Sequence, residues 1–316
     1  MAIPPSAVVW AIRAFYLFSS AAIITVCLIP AFADRFLAYG ARARRHTIDT
    51  RGKRGTVGQS QQSVGTQLLD HLATFTVPHS WFTHFYVLSL VCSLTALSTF
   101  YYYGYYAGAT IKQNPDLATA AFGAHLMLLQ GLRRLLECVY VTRNSTSRMW
   151  VGHYAIGMAF YIATNMAIWI EQLCRPPSPR PATAEQIVFW TWRTIICTVL
   201  FFGASERQNR YHRYLSSLKK YSLPEKYAFR YLIAPHYTME CVIYLSMALL
   251  DTPSIFNQES QLPMATKINW TLVCALMFVA VNLGVTADGT KEWQRQKFHE
   301  NSSEIEKRWR IIPWLF

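Results

Sequence analysis

Gln130, Arg133, Arg134 and Glu137 stand at i, i+3, i+4 and i+7 in LQGLRRLLECVYV (129–141), which closes an apolar run that begins near Leu117. On a helix that spacing puts all four on one stripe. A charged side chain at mid-membrane costs at least ~2.5–3.5 kcal/mol unless it finds a partner or water. A self-paired arginine and glutamate, or arginines snorkelling to a surface, would account for the arginines alone. Four polar groups on one face, including a glutamate too short to snorkel far, point instead to a polar cavity. YLIAPHYTMECVIYLSMALL repeats the arrangement with His236 and Glu240 at i and i+4. Just before it, QNRYHRYLSSLKKYSLPEKYAFRYL (208–232) mixes Arg, Lys and His with tyrosines and reads as a basic loop at an aromatic interface belt. A polar pair opening onto such a loop suits a large anion, such as a phosphorylated cofactor. In VPHSWFTHFYVLSL (77–90), Trp81 and Tyr86 read as interface anchors, and His84 lies about one turn further in. His125, His153 and Arg193 read as packing residues. No Ser/His/Asp arrangement and no GxGxxG loop is present, so a dinucleotide would be held by side chains. The seven cysteines are scattered, without a C-x-x-C pair or a Cys/His cluster, so neither a metal site nor a disulfide framework is expected.

Such stripes need helices that cross a membrane, and the composition provides them. Of 316 residues, 52% are hydrophobic and only 15% charged, against about a quarter charged in soluble domains. Apolar runs near 7–32, 82–107, 117–141, 149–170, 187–204, 233–250 and 268–286 predict an all-α, polytopic bundle of about seven transmembrane helices. The connectors after the first, third, fifth and seventh runs carry 22 Lys or Arg, and the alternate ones carry four. The positive-inside rule then puts the N-terminus in the lumen and the C-terminus in the cytosol. The net charge of +13 is therefore mostly a topology signal, and nucleic-acid binding is not expected. The first run is long enough to span and lacks a basic leader, unlike a signal peptide. Residues 40–66 read as a flexible cytosolic loop and CRPPSPRPA (174–182) as a stiff lumenal connector. On this topology none of the sequons at Asn144, Asn269 and Asn301 is expected to carry sugar. From the residues alone the chain is an enzyme or a transporter with a cytosol-facing polar pocket.

Several stretches then resemble the steroid 5α-reductase family, from about residue 77 to the end. YSLPEKYAFRYL fits the family's Y-x-[IL]-P-x4-F-x-Y-[VL] at Tyr221, Pro224, Phe229 and Tyr231. APHYTMECVIYLSMA is similar to the next segment, with His236 and Glu240, and IIPWLF resembles the terminal IPFLF. VPHSWFTHFYV and LRRLLECVYV resemble the polyprenol reductase branch, and RMWVGHY (148–154) its fungal members.

The resemblance implies a seven-helix, NADPH-dependent reductase of the endoplasmic reticulum membrane. It would saturate the α-isoprene unit of a long polyprenyl chain on the way to dolichol, the lipid carrier of protein glycosylation. The family's cofactor-contacting pattern falls on Trp81, Arg134, Gln208, His212, Lys219, Tyr221, Tyr231, His236 and Glu240. The polyprenol branch often reads H-x-x-Y where TKEWQRQKF has Lys291 and Gln294, although Lys291 could meet an anionic cofactor. The Glu and Tyr with which steroid reductases polarise a ketone align with Phe85 and Gly131, so the steroid site is not carried over. The expected division is 1–116, the first two helices with a basic loop, and 117–316, a reductase core whose region from about 187 binds cofactor. Hydride adds to a double bond only if it is electrophilic, so an aldehyde is the expected substrate. Glu137, kept protonated by burial, or His84 is the expected proton donor, with Arg133 and Arg134 supplying positive potential. The alternatives are a 3-oxo-steroid or enoyl-thioester reductase of the same family, an isoprenylcysteine or phospholipid methyltransferase, and a transporter or membrane scaffold.

Overall fold

Pro5 opens the first helix at a position where a missing N–H costs nothing, and the apolar run behind it carries α1 from Pro5 to Leu28. The computed structural model describes residues 4–37, 64–106, 115–142, 146–174, 187–188, 191–219, 222–250, 254–255 and 268–316. The further helices are α2 (Val64–Thr74), α3 (Phe82–Tyr106), α4 (Pro115–Tyr140), α5 (Val151–Leu173), α6 (Trp192–Ser217), α7 (Pro235–Ala248), α8 (Trp270–Lys297) and α9 (Ser302–Lys307). Among the described residues, Pro5–Leu28, His79–Tyr102 and Trp270–Lys297 are long and apolar enough to cross a membrane. The protein is thus an all-α membrane protein, with three such helices among the described residues; the sequence predicted about seven spans.

The other runs differ for identifiable reasons. The run expected over 187–204 begins instead at Trp192, where the Thr191 hydroxyl accepts from Thr194 N at 3.1 Å. It continues to Ser217 because Ser205, Gln208 and Tyr211 keep one buried face through the basic stretch. Residues 208–217 of the expected 208–232 loop are therefore helix. α7 has 14 residues, a rise of ~21 Å, short of a ~30 Å hydrocarbon layer. α8 runs 11 residues past the expected 286. Two short antiparallel ribbons join the bundle, Thr76–Pro78 with Arg148–Trp150 and Ile187–Val188 with Ser254–Ile255. The first sets the starts of α3 and α5 side by side. The 40–66 loop and 174–182 connector lie almost wholly outside the described residues, though Val64–Gly65 open α2.

α3 packs along α4, α6 along α7, and α1 and α7 along α8, with α5 between the groups. The core is aromatic and small by turns: Tyr16, Phe160, Phe201 and Phe278 interleave with Ala163, Ala167, Ala204, Ala248 and Ala275. Small residues let helix backbones approach, as membrane bundles require. Outward, Trp10, Phe18 and Val199 are exposed, as lipid-facing side chains are. Asn269 caps α8, accepting from Leu272 N at 2.9 Å and donating to Ala167 O at 2.8 Å. Its amide is thus committed to packing.

The C-terminal IIPWLF folds back under α7 and α8. Trp309 N donates to Tyr231 O and Ile233 N to Trp309 O, each at 2.8 Å, and Arg308 donates to Pro224 O at 2.8 Å. Arg310 pairs with Asp288 and lies 4.8 Å from the Phe316 ring centroid.

Candidate active site

α4 brings its polar stripe against α6, and the two helices touch little elsewhere. Glu137, 2% exposed, is the centre. Arg133 and Arg134 both pair with it, and Asn209 donates to Oε1 at 2.8 Å. His212 Nδ1 lies 2.8 Å from Oε2 and 2.7 Å from Arg134 Nη1, so one tautomer donates to the carboxylate and the other accepts from the guanidinium. Gln130 extends the network: it accepts from Ser205 at 3.0 Å and donates to Gln208 at 3.2 Å. Gln208 in turn accepts from Arg133 and donates to Glu240. The i, i+3, i+4, i+7 stripe thus joins α4 to α6 and, through Gln208, to α7.

A cavity of about 920 Å³ opens beside this network. Arg134, Gln208, His212, His236 and Glu240 form a polar part of its lining, to which Asp288 and Glu292 of α8 also belong. Phe82, Phe85, Phe160, Phe278, Val279 and Ile23 form an apolar part. Gly157 makes room for Phe85, since a Cβ there would stand 2.6 Å from the ring's Cζ. His236 is held by aromatic neighbours, 4.2 Å from Tyr237 and 5.4 Å from His212 between ring centroids. Its Nδ1 is buried and has no hydrogen-bond partner.

The residues singled out from sequence divide in three. Arg134, Gln208, His212, His236 and Glu240 meet at the cavity. Glu137 and Arg133 stand behind that wall, and Glu137 faces two guanidinium groups and the Asn209 amide, the setting of an anion rather than of a neutral acid. The rest lie apart. His84 is exposed, 3.0 Å from the Tyr154 hydroxyl, and Trp81 stacks edge-on against Tyr154. Lys219 and Tyr231 are exposed. Lys291 is committed to the C-terminal segment, donating to Glu306 O at 2.7 Å and Arg308 O at 2.8 Å. Tyr221 lies outside the described residues.

Tyr86 corrects an expectation. It is not an interface anchor: it is 3% exposed, lines the cavity and accepts from Arg134 Nε at 3.2 Å and Nη2 at 2.7 Å. Asp288, Tyr161 and Asn209 were also missed. The Tyr86–Arg134 pairing had one available signal, the cost of a second arginine left without a partner on α4.

Residues 167–316 match the family described as 3-oxo-5-alpha-steroid 4-dehydrogenase. The polyprenal reductase of Saccharomyces cerevisiae is 29% identical over 261 residues, covering 82% of this chain and 83% of its own. Polyprenal reductase 2 of Oryza sativa subsp. japonica is 22% identical over 351 residues, covering 92% and 94%. The polyprenal reductase of Homo sapiens is 26% identical over 268 residues, covering 77% and 79%. The chain is thus similar to polyprenal reductases over most of its length, and its C-terminal part matches the model of the 3-oxo-5-alpha-steroid 4-dehydrogenase family.

Proposed function

We propose that this chain is an NADPH-dependent polyprenal reductase, saturating the α-isoprene double bond of a long-chain polyprenal to give dolichal for the dolichol used in protein N-glycosylation. The observation that carries this is one cavity lined both by a hydrogen-bonded polar cluster and by phenylalanines, inside a chain homologous to polyprenal reductases. Its volume falls within the ~300–1,000 Å³ usual for ligand sites.

The polar part of the lining fits a nicotinamide dinucleotide. His236 Nδ1 is a buried polar atom without a partner, and such atoms are costly unless a ligand satisfies them. Arg134, Gln208, His212, His236 and Glu240 would hold the cofactor. When bound, NADPH supplies the hydride that adds to the β-carbon of the unsaturated aldehyde. The remaining work falls to the chain. The Gln130–Gln208–Glu240 links fix the polar wall, so its donors need no reorganisation during the reaction. The phenylalanines of the lining exclude water and accept the first isoprene units, and the rest of the tail passes into lipid. An allylic alcohol would give no electrophilic β-carbon, which favours the aldehyde over polyprenol as the immediate substrate.

The same reading carries the expected arrangement: about seven spans in the endoplasmic reticulum membrane, a lumenal N-terminus, a cytosolic C-terminus, and a reductase core at 117–316. Its partners are the bilayer and the polyprenyl lipid, with no metal and no nucleic acid.

The test is anaerobic NADPH consumption by the purified protein in detergent, with a short polyprenal, the matching polyprenol and testosterone in parallel. Dolichal formation from polyprenal alone is the expected result. Turnover of polyprenol in the absence of an oxidase sinks the aldehyde mechanism. Reduction of testosterone but not polyprenal moves the substrate to a 3-oxo-steroid, and no consumption with tight S-adenosylmethionine binding moves the class to methyltransferase.

A further inference from the structure

We propose that Tyr86 is the catalytic acid of this site, giving its phenolic proton to the carbonyl oxygen of the substrate; the inference rests on the reductase reading above. The two residues expected to do this from sequence are badly placed. Glu137 is behind the cavity wall with Arg133, Arg134 and Asn209 donating to its carboxylate, and His84 faces outward to Tyr154. Tyr86 has the opposite setting.

Two donors from Arg134 occupy the Tyr86 oxygen, at 3.2 Å and 2.7 Å, and the guanidinium carbon lies 4.9 Å from the ring centroid. With both lone pairs of the oxygen engaged, the hydroxyl hydrogen is the group's remaining bonding capacity. No acceptor for it occurs among the described residues, and the side chain lines the cavity. Tyr161 also lines the cavity, but Arg134 makes no hydrogen bond to it. The Arg134 guanidinium donates directly to the Tyr86 oxygen, where a phenolate formed by proton transfer would be stabilised. The other titratable groups around it are Cys138 on α4, Tyr161 on α5, and Glu240 and Tyr244 on α7.

The step balances. Hydride from NADPH bonds to the β-carbon, the carbon–carbon π pair shifts toward the α-carbon and carbonyl carbon, and the carbonyl π pair takes the Tyr86 proton. The product is an enol, with Tyr86 left as a phenolate against Arg134. The enol returns its hydroxyl proton to Tyr86 while the α-carbon takes a proton from water. The saturated aldehyde leaves with one hydride from the cofactor and one net proton from solvent.

The experiment compares wild type with Tyr86→Phe, measuring kcat and KM for a short polyprenal and, separately, NADPH affinity by fluorescence. Losing one donor to a developing oxyanion costs on the order of 10²–10³ in kcat. That loss is expected with KM and NADPH affinity within about threefold of wild type. A kcat within about threefold of wild type overturns the proposal, as does loss of NADPH binding in step with kcat, which would make Tyr86 a support for Arg134. Should the phenylalanine variant fail to fold, difluorotyrosine at position 86 keeps shape and hydroxyl while making the phenol more acidic. The alkaline limb of kcat then moves to lower pH if Tyr86 is the acid, and an unmoved limb overturns the proposal. Wild-type protein that leaves polyprenal unreduced would instead overturn the function itself.

Discussion

Two guanidinium–carboxylate clusters tie this bundle together, and they are finished differently. At one, Arg13 of α1 donates to Glu171 of α5 at 2.6 Å and to Thr271 of α8 at 3.1 Å. Glu171 also takes the N–H groups of Trp270 and Thr271, at 3.1 Å and 2.6 Å, which adds to the Asn269 cap at the N-terminus of α8. Each charge there has partners, and none of Arg13, Glu171 and Thr271 lines the cavity. At the other, Glu137 is equally well paired, but the network around it ends in loose atoms. Arg133 Nε and His236 Nδ1 are buried without partners, and Arg134, Gln208 and Glu240 present themselves to open space. The same ion-pair chemistry is a latch where it is complete and a candidate site where it is left incomplete.

The largest test of that contrast is Glu137→Ala. It leaves two guanidinium groups facing each other in a buried seam, and removing one member of a buried charge network costs ~3–5 kcal/mol. Because α4 meets α6 at few other places, the two helices should part. The expected outcome is a large drop in denaturant midpoint with loss of NADPH binding. An unchanged midpoint would mean that α4 and α6 are held by something other than this cluster.

Glu171→Ala comes next and should separate stability from function. It leaves the Trp270 and Thr271 N–H groups without this acceptor and Arg13 with its Thr271 hydrogen bond, so ~1–3 kcal/mol is expected. The melting temperature should fall while kcat and NADPH affinity of the folded protein stay within twofold of wild type, roughly the error of such assays. A tenfold fall in kcat at full occupancy of folded protein would show that the latch positions the cavity as well as the helices.

How much of this was legible follows from which signals are local. The α4 stripe and the His236–Glu240 pair are helical spacings, and both appear at the site. Gln208 and His212 came only from the family resemblance, because a stretch as polar as QNRYHRYLSS reads as loop until its buried face against α4 and α7 is known. Tyr86 was misread since an aromatic near a helix end suits an interface, and its partner Arg134 is 48 residues away. Arg13 escaped notice for the same reason, with Glu171 158 residues off. His84 shows the converse error: its residue type suited catalysis, but a position along a run does not say which side faces inward. At α7 the run expected over 233–250 contains only 14 helical residues, because an apolar stretch does not itself mark where a helix starts and stops.

The smallest effect sharpens where the site ends. Arg210 stands one residue beyond Asn209 on α6, yet it faces outward and pairs with Glu206 at 2.8 Å, both side chains more than half exposed. Such an exposed i, i+4 pair contributes ~0.3–0.5 kcal/mol, because water already solvates both partners and salt screens them. Arg210→Ala should therefore leave stability and NADPH affinity within error, although Asn209 beside it belongs to the Glu137 network. A tenfold loss of NADPH affinity, strongest at low salt, would place part of the cofactor over the outer basic face of α6. The boundary between site and surface would then run along the outside of α6 rather than along its buried face.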